Sequence, residues 1–404
     1  IVINNDVDWD PFRNTVNGKA SSFAPDIRYG YLHRMYKLQK LIDEFHPANP
    51  THLMRRFNLE AKISEKKVEN LLVSILQDET GPLVGSFLKR HLGRDLKPFD
   101  IWFNKFENAS KMGNRELDEL TRKRYPSAQA FEKDIPFILE KLGFDPAISS
   151  FLGNHIKVTS SRGAGHAIPA PLKSEKCYLR TRVESDGMTY HGFNIAMHEL
   201  GHSVEQVFSL HKMDYPQLRG VPNNAFTECF AFIFQSRDLE ILGVSSAESK
   251  QTPYRTVEQF WNLREMCAVS LVDIYVWRWM YQKSHFSETE LKNAVIGICN
   301  NIWNEHFSSI FQCREVNLLG IYSHMISHGL YLMDYPLGRI ISYQLERYFK
   351  SHSLPSEMER MCSIGNISPS RWMKEAIGED ISPTALLKDA REAVQYLDLN
   401  RIRR

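Results

Sequence analysis

His198-Glu199-Leu200-Gly201-His202 is the stretch on which the reading of this chain turns. It has the form H-E-x-x-H. On an α-helix, side chains four positions apart share a face, so both imidazoles can reach one metal ion. Glu199, the next residue after His198, can then address a water on that ion. Phe193, Ala196, Met197, Leu200, Val204 and Val207 recur at helical spacing through the segment. Thr189 or Asp186 is placed to cap its start, and Gly187 marks a turn before it. The pattern predicts a helix with the pentapeptide at its centre. A glutamate inside so apolar a stripe needs a reason to be there.

A catalytic site of this type needs a third protein ligand and an open fourth position. The strongest candidate is Glu228, in Asn223-Asn224-Ala225-Phe226-Thr227-Glu228-Cys229-Phe230-Ala231-Phe232-Ile233-Phe234. Asn224 reads as the N-cap of a second, very apolar helix. A lone carboxylate among Phe226, Cys229, Phe230 and Phe232 is costly to bury unless it is paired or bound to metal. Pro216, Gly220 and Pro222 lie between His202 and Glu228, in a loop that lets the second helix fold back on the first. Glu205 is too close to His202 in sequence to wrap round to the same ion, and Asp214 falls on the loop. His198, His202 and Glu228 are therefore the expected ligands of one Zn2+ per chain, with Glu199 as general base.

This order, H-E-x-x-H followed by a glutamate on a second helix, resembles the gluzincin peptidases, and among them the M3 oligopeptidases of the thimet oligopeptidase and oligopeptidase F group. Arg162-Gly163-Ala164-Gly165-His166-Ala167 is similar to that family's Gly-rich segment, and Arg371-Trp372-Met373-Lys374-Glu375-Ala376-Ile377-Gly378 to its terminal helix. The resemblance covers roughly residues 155 to 395 and is most specific over 190–235. It implies a zinc metallopeptidase acting on short unstructured peptides in a deep cleft. Two features depart from the family: the chain is shorter than usual, and Phe232 stands where several gluzincins carry an acidic residue four positions after the glutamate. The M32 carboxypeptidases and angiotensin-converting-enzyme-like peptidases share the architecture. A carboxypeptidase would need a cation for the free C-terminus, for which Arg339 or Arg180 is available. A zinc-dependent enzyme of another class, such as an amidase or isomerase, and a non-catalytic peptide-binding protein are the other readings, the latter disfavoured by the intact Glu199.

His324, His328, Tyr331 and Tyr335 are spaced to share one face of a helix that Pro336 and Gly338 would interrupt. In the related peptidases a tyrosine and a histidine of such a segment donate to the carbonyl oxygen as it becomes an oxyanion. Tyr335 and His328 are the first choices for that role, with Tyr331, His324 and Tyr343 as further substrate contacts. Gly163 and Gly165 permit close backbone approach to a ligand. After Pro169 and Pro171, residues 177–183 alternate as a strand does. An isolated strand there would offer an edge to an extended peptide, with Tyr178 and Arg180 as substrate-binding side chains.

The rest of the chain predicts a mainly α fold: a multi-helix zincin-type peptidase with two helical lobes around a cleft and a small β element near the zinc helix. Apolar residues recur at helical intervals over 60–76, 127–142, 257–281, 288–307 and 383–397. The turn at 143–146 is the best seam, giving an N-terminal helical lobe (1–146) and a catalytic lobe (147–404). With 50 basic and 48 acidic residues, net charge makes no case for nucleic acid or an anionic membrane as partner. No apolar run reaches membrane-spanning length. Six scattered cysteines without a CxxC pair suggest reduced thiols and a cytoplasmic protein. The chain begins at Ile1 rather than Met, which leaves room for a removed targeting segment.

Overall fold

The structure is a computed structural model that describes residues 9–10, 15–16, 19–20, 27–104, 112–161, 163, 165–244 and 253–402. Arg162 and Ala164 of the Gly-rich segment lie outside the described residues. Helix follows helix, as the apolar periodicity predicts. The five spans become Glu65–Gln77, Ala128–Lys141, Pro253–Gln282, Glu288–His306 and Thr384–Ile402. The first starts later than expected. Glu60 belongs to a preceding π-helical segment, Arg55–Ala61, and Lys62 in the left-handed region separates the two. Ser64 then accepts from the Lys67 N–H and caps the next helix.

Two small sheets interrupt the helices. β1 (Trp9–Asp10), β2 (Thr15–Val16) and β3 (Lys19–Ala20) form an antiparallel ribbon. β4 (Ile156–Ser161), β5 (His166–Ile168) and β6 (Cys177–Arg182) form the second, in the order β4-β6-β5. The strand expected to be isolated, β6, is therefore the middle one. It runs parallel to β4 and antiparallel to β5, so its backbone is not open to a peptide. Strand pairing between segments this far apart leaves no mark in local periodicity. The open edge nearest the H-E-x-x-H helix belongs to β5.

That helix spans Tyr190–Lys212, hereafter the histidine helix. Thr189 caps it by accepting from the Gly192 N–H. The glutamate helix, Asn224–Gln235, is capped by Asn223 rather than Asn224, through the Ala225 N–H. A third helix, Asp334–Tyr348, carries Tyr335 and is the tyrosine helix. Gly201 and Gly338 set how closely these three pack. A Cβ on Gly201 would sit 2.6 Å from the Phe230 carbonyl oxygen, and one on Gly338 would sit 2.9 Å from Ala225 O and Glu228 Cβ. Both glycines lie where helix backbones touch. Trp372, on the helix Pro369–Ile377, packs edge-on against Phe226 at 4.9 Å and braces the far side of the glutamate helix. Buried apolar side chains form one contiguous cluster from Leu32 to Leu397. None of the helices among the described residues is long and apolar enough to cross a membrane.

Candidate active site

The crossing of the histidine and glutamate helices brings His198, His202 and Glu228 together, with ligand atoms all within 4.8 Å of one another. His198 Nε2 lies 3.4 Å from Glu228 Oε2 and His202 Nε2 lies 3.9 Å from Oε1. A tetrahedral ion with bonds of about 2.0–2.1 Å to nitrogen holds its ligand atoms roughly 3.3 Å apart.

Hydrogen bonds behind the histidines decide which nitrogen faces inward. Asp238, an acceptor, takes a hydrogen bond from the Asn194 amide at 2.7 Å. That leaves Asn194 Oδ1 to accept from Gln235 Nε2 at 2.7 Å, and Gln235 Oε1 to accept from His198 Nδ1 at 3.1 Å. For His202, Thr227 donates to Glu205 at 2.9 Å and so accepts from His202 Nδ1 at 2.9 Å. Both Nδ1 atoms carry protons, so in the neutral imidazoles both Nε2 atoms present lone pairs to the Glu228 carboxylate. Glu228 Oε2 is buried without a hydrogen-bond partner. Three electron-pair donors facing one another, one of them an orphaned buried carboxylate oxygen, fit a divalent cation. Burial lowers the His202 pKa to about 4, consistent with a neutral imidazole.

Glu199 is buried beside this cluster. Burial, opposed by His198 and reinforced by Glu228, raises its pKa to about 7. Gly165 meets it on the other side: a Cβ there would fall 2.8 Å from Glu199 Oε1 and 2.3 Å from Ile195 Cγ2. Gly163, by contrast, is exposed with open space around it, and its carbonyl accepts from Arg182 Nε at 3.1 Å. Of the two glycines, only Gly165 packs closely against the cluster, on Ile195 and Glu199.

The His/Tyr segment is not one helix. A single turn, His324–Ser327, ends before Gly329, and Leu330 is left-handed with φ 64°. Asp273 on the long helix Pro253–Gln282 secures this break by accepting from the Leu330 N–H at 2.7 Å. The tyrosine helix then starts at Asp334, so Pro336 sits in its first turn, where a missing N–H costs nothing. The Tyr331 hydroxyl donates to Glu228 Oε1 at 3.0 Å. The Tyr335 ring packs edge-on against Tyr331 at 5.4 Å, and the nearby charges of Glu228 and Glu199, after burial, help to raise its pKa. Both phenols are protonated donors at neutral pH.

His324 stacks on Tyr331 at 5.8 Å and meets Tyr335 edge-on at 6.0 Å. His328 is exposed, with Nδ1 on the Ser327 hydroxyl. His328 also lies beside Tyr331, at 6.2 Å, but His324 touches both tyrosines. Tyr343 lies two turns further along and donates to Asp389 at 2.6 Å, away from the His198–His202–Glu228 cluster. Tyr178 and Arg180 fall on the exposed face of β6, because Cys177, Leu179 and Thr181 fill the face packed on the histidine helix. Sequence reasoning missed Gln235, Thr227, Asn194 and Asp238, whose role depends on how two helices cross.

No family model matches the chain, and no curated protein matches it in sequence. Solved structures do match. Trypanosoma cruzi metallocarboxypeptidase 1 superposes with a TM-score of 0.57 at 10% identity, covering 91% of this chain and 74% of that one. A structure described as an oligoendopeptidase F gives 0.59 at 13% identity, covering 92% and 66%. An M32 carboxypeptidase from Deinococcus radiodurans R1 gives 0.53 at 13% identity, covering 91% and 74%. This chain shares the helical fold of these peptidase structures. The likeness extends to M32-type as well as oligoendopeptidase-type chains and does not single out the M3 group. The chain spans about two thirds to three quarters of these relatives' length.

Proposed function

We propose that this protein is a zinc-dependent peptidase that hydrolyses short unstructured peptides, of the M3 or M32 type. The observation that carries the reading is the inward-facing trio of His198, His202 and Glu228 with buried Glu199 beside it. When bound by that trio, zinc supplies Lewis acidity to the scissile carbonyl and lowers the pKa of a water. Glu199, with a pKa near 7, takes a proton from the attacking water, holds it on its carboxylate and passes it to the departing amine nitrogen. Tyr335 donates to the carbonyl oxygen as it gains charge, Tyr331 spends its hydroxyl proton on Glu228, and His324 buttresses both rings. The β5 edge pairs with the extended backbone of the peptide, giving sequence-tolerant affinity. Short peptides as substrates are supported by the M3 resemblance.

Glu199→Gln and chelation test the reading. The wild-type protein should bind one zinc and cleave quenched fluorogenic peptides, and a strong chelator should abolish both properties. Glu199→Gln should keep the zinc and lose turnover by a factor on the order of 10² or more. Wild-type turnover in either the metal-stripped protein or the Gln variant would sink the proposal.

A further inference from the structure

Asp273 is the only charged residue between Glu265 and Arg278, in the apolar middle of the long helix Pro253–Gln282. It is buried, with 1% of its surface exposed, and its Oδ1 has no hydrogen-bond partner. Arg56, whose charge is felt there, is already paired with Asp334. Burying a carboxyl group in this way is costly, and the reaction proposed above makes no use of it.

What Asp273 holds is a stretch of backbone. Its Oδ2 accepts from the Leu330 N–H at 2.7 Å, and the Leu332 N–H bonds to the same carboxyl group. These two donors bracket Tyr331. Leu330 is left-handed at φ 64°, which strains a residue with a Cβ, and the bond to Asp273 holds the chain in that conformation. One turn along the same helix, the Trp277 indole occupies the place where a Cβ on Gly329 would fall. One helix thus fixes the backbone on both sides of Tyr331, whose hydroxyl reaches Glu228 Oε1 at 3.0 Å. The Tyr331 carbonyl oxygen in turn accepts from the N–H of Asp334, the first residue of the tyrosine helix, at 3.0 Å.

We propose that Asp273 is a positioning residue of the peptidase site: by bracketing Tyr331 it aims the phenol at Glu228 and keeps that carboxylate turned toward His198 and His202. The assignment rests on the peptidase reading above, because there the direction of Glu228 decides how well the trio holds its ion. Asp273 touches none of the three ligands. It acts through a turn of backbone and one hydroxyl, and contacts behind a ligand govern metal affinity.

Zinc affinity, read by competition with a fluorescent chelator, tests this coupling in a double-mutant cycle. Asp273→Leu keeps much of the volume and removes both acceptor oxygens. It should weaken zinc binding on the order of 10-fold, the scale for a group behind a ligand. Asp273→Asn retains one acceptor oxygen and should stay within about 3-fold of wild type. In a Tyr331→Phe background, Asp273→Leu should cost less than about 2-fold, because the hydroxyl through which it acts is gone. A residue that merely staples the fold gives the same loss in both backgrounds. That result overturns the assignment, as does no loss in either background, or an Asn variant as impaired as the Leu variant. Asp273→Ala takes over where Asp273→Leu does not fold, and failure of both to fold overturns the proposal by giving Asp273 to stability alone. A wild-type protein that binds no zinc sinks the peptidase reading instead. The bracket is then read in the metal-free protein, from the fluorine NMR resonance of a fluorotyrosine placed at position 331. Asp273→Leu and Glu228→Gln should each move that resonance, and one that stays in place in Asp273→Leu overturns the bracket.

Discussion

At the scale of single residues, the clustering of His198, His202 and Glu228 was legible in the sequence and the supports of that cluster were not. H-E-x-x-H declares itself because helical geometry fixes its two imidazoles relative to each other, and Glu228 stands out as a charge in an apolar run. Thr227 looks like an unremarkable neighbour of Glu228. Its hydroxyl matters because it accepts from His202 and donates to Glu205, a contact set by the crossing of two helices. Thr227→Val keeps the shape and removes that hydroxyl. We expect metal affinity, read by competition with a fluorescent chelator, to fall on the order of 10- to 100-fold, while Glu228 still supplies its carboxylate. Unchanged affinity would mean that packing alone orients His202. The tyrosines divide similarly. Tyr335→Phe should lower kcat and kcat/KM together, by a factor on the order of 10². Tyr331→Phe should also weaken metal retention, because Tyr331 donates to Glu228. Identical metal retention in the two variants would show that the Tyr331 contact does nothing for the ligand.

At the scale of elements, periodicity found the helices and missed how they meet. The spans around 128–141 and 288–306 were readable within a residue or two at each end, since each helix carries its own apolar stripe. The His/Tyr segment misled for a definite reason. Spacings of four, three and four residues satisfy a helix, but here a left-handed Leu330, held by Asp273, breaks it. The sheet order was hidden because β4, β5 and β6 pair across long separations. Gly201 was visible only as a gap in the motif, yet its missing Cβ is what admits the backbone of the glutamate helix. Gly201→Ala would push that Cβ to 2.6 Å from a carbonyl oxygen and 2.7 Å from the Ala231 Cα, neither of which can rotate aside. The expected cost is about 1–3 kcal/mol of stability, seen as a lower denaturant midpoint, together with weaker metal binding as Glu228 is displaced from the histidines. A variant that loses stability but keeps wild-type metal affinity would show that the crossing adjusts without opening the site.

At the scale of the whole molecule, one ion pair ties the N-terminal half of the chain to the two tyrosines of the site. Arg56, in the π-helical segment Arg55–Ala61, pairs with Asp334, the first residue of the tyrosine helix, and its Nε donates to the Leu330 carbonyl oxygen at 3.3 Å. Both side chains are almost fully buried. The same arginine therefore grips both ends of the turn that presents Tyr331 and begins the helix that presents Tyr335. Removing one member of a buried pair strands the other, so Arg56→Met should cost about 3–5 kcal/mol. Replacing both, as Arg56→Met with Asp334→Leu, should restore much of that stability, because a buried pair exchanged for apolar side chains is often neutral. Turnover should not recover in step. The double variant still lacks the donor to Leu330, so Tyr335 loses its fixed aim at the carbonyl oxygen and Tyr331 its hold on Glu228, and kcat should stay well below wild type while the melting curve returns. Stability and kcat recovering together would reduce the pair to a fold-level staple. Stability recovering without kcat would mean that a residue from the N-terminal half of the chain sets the geometry of a site whose proposed ligands all lie beyond residue 190.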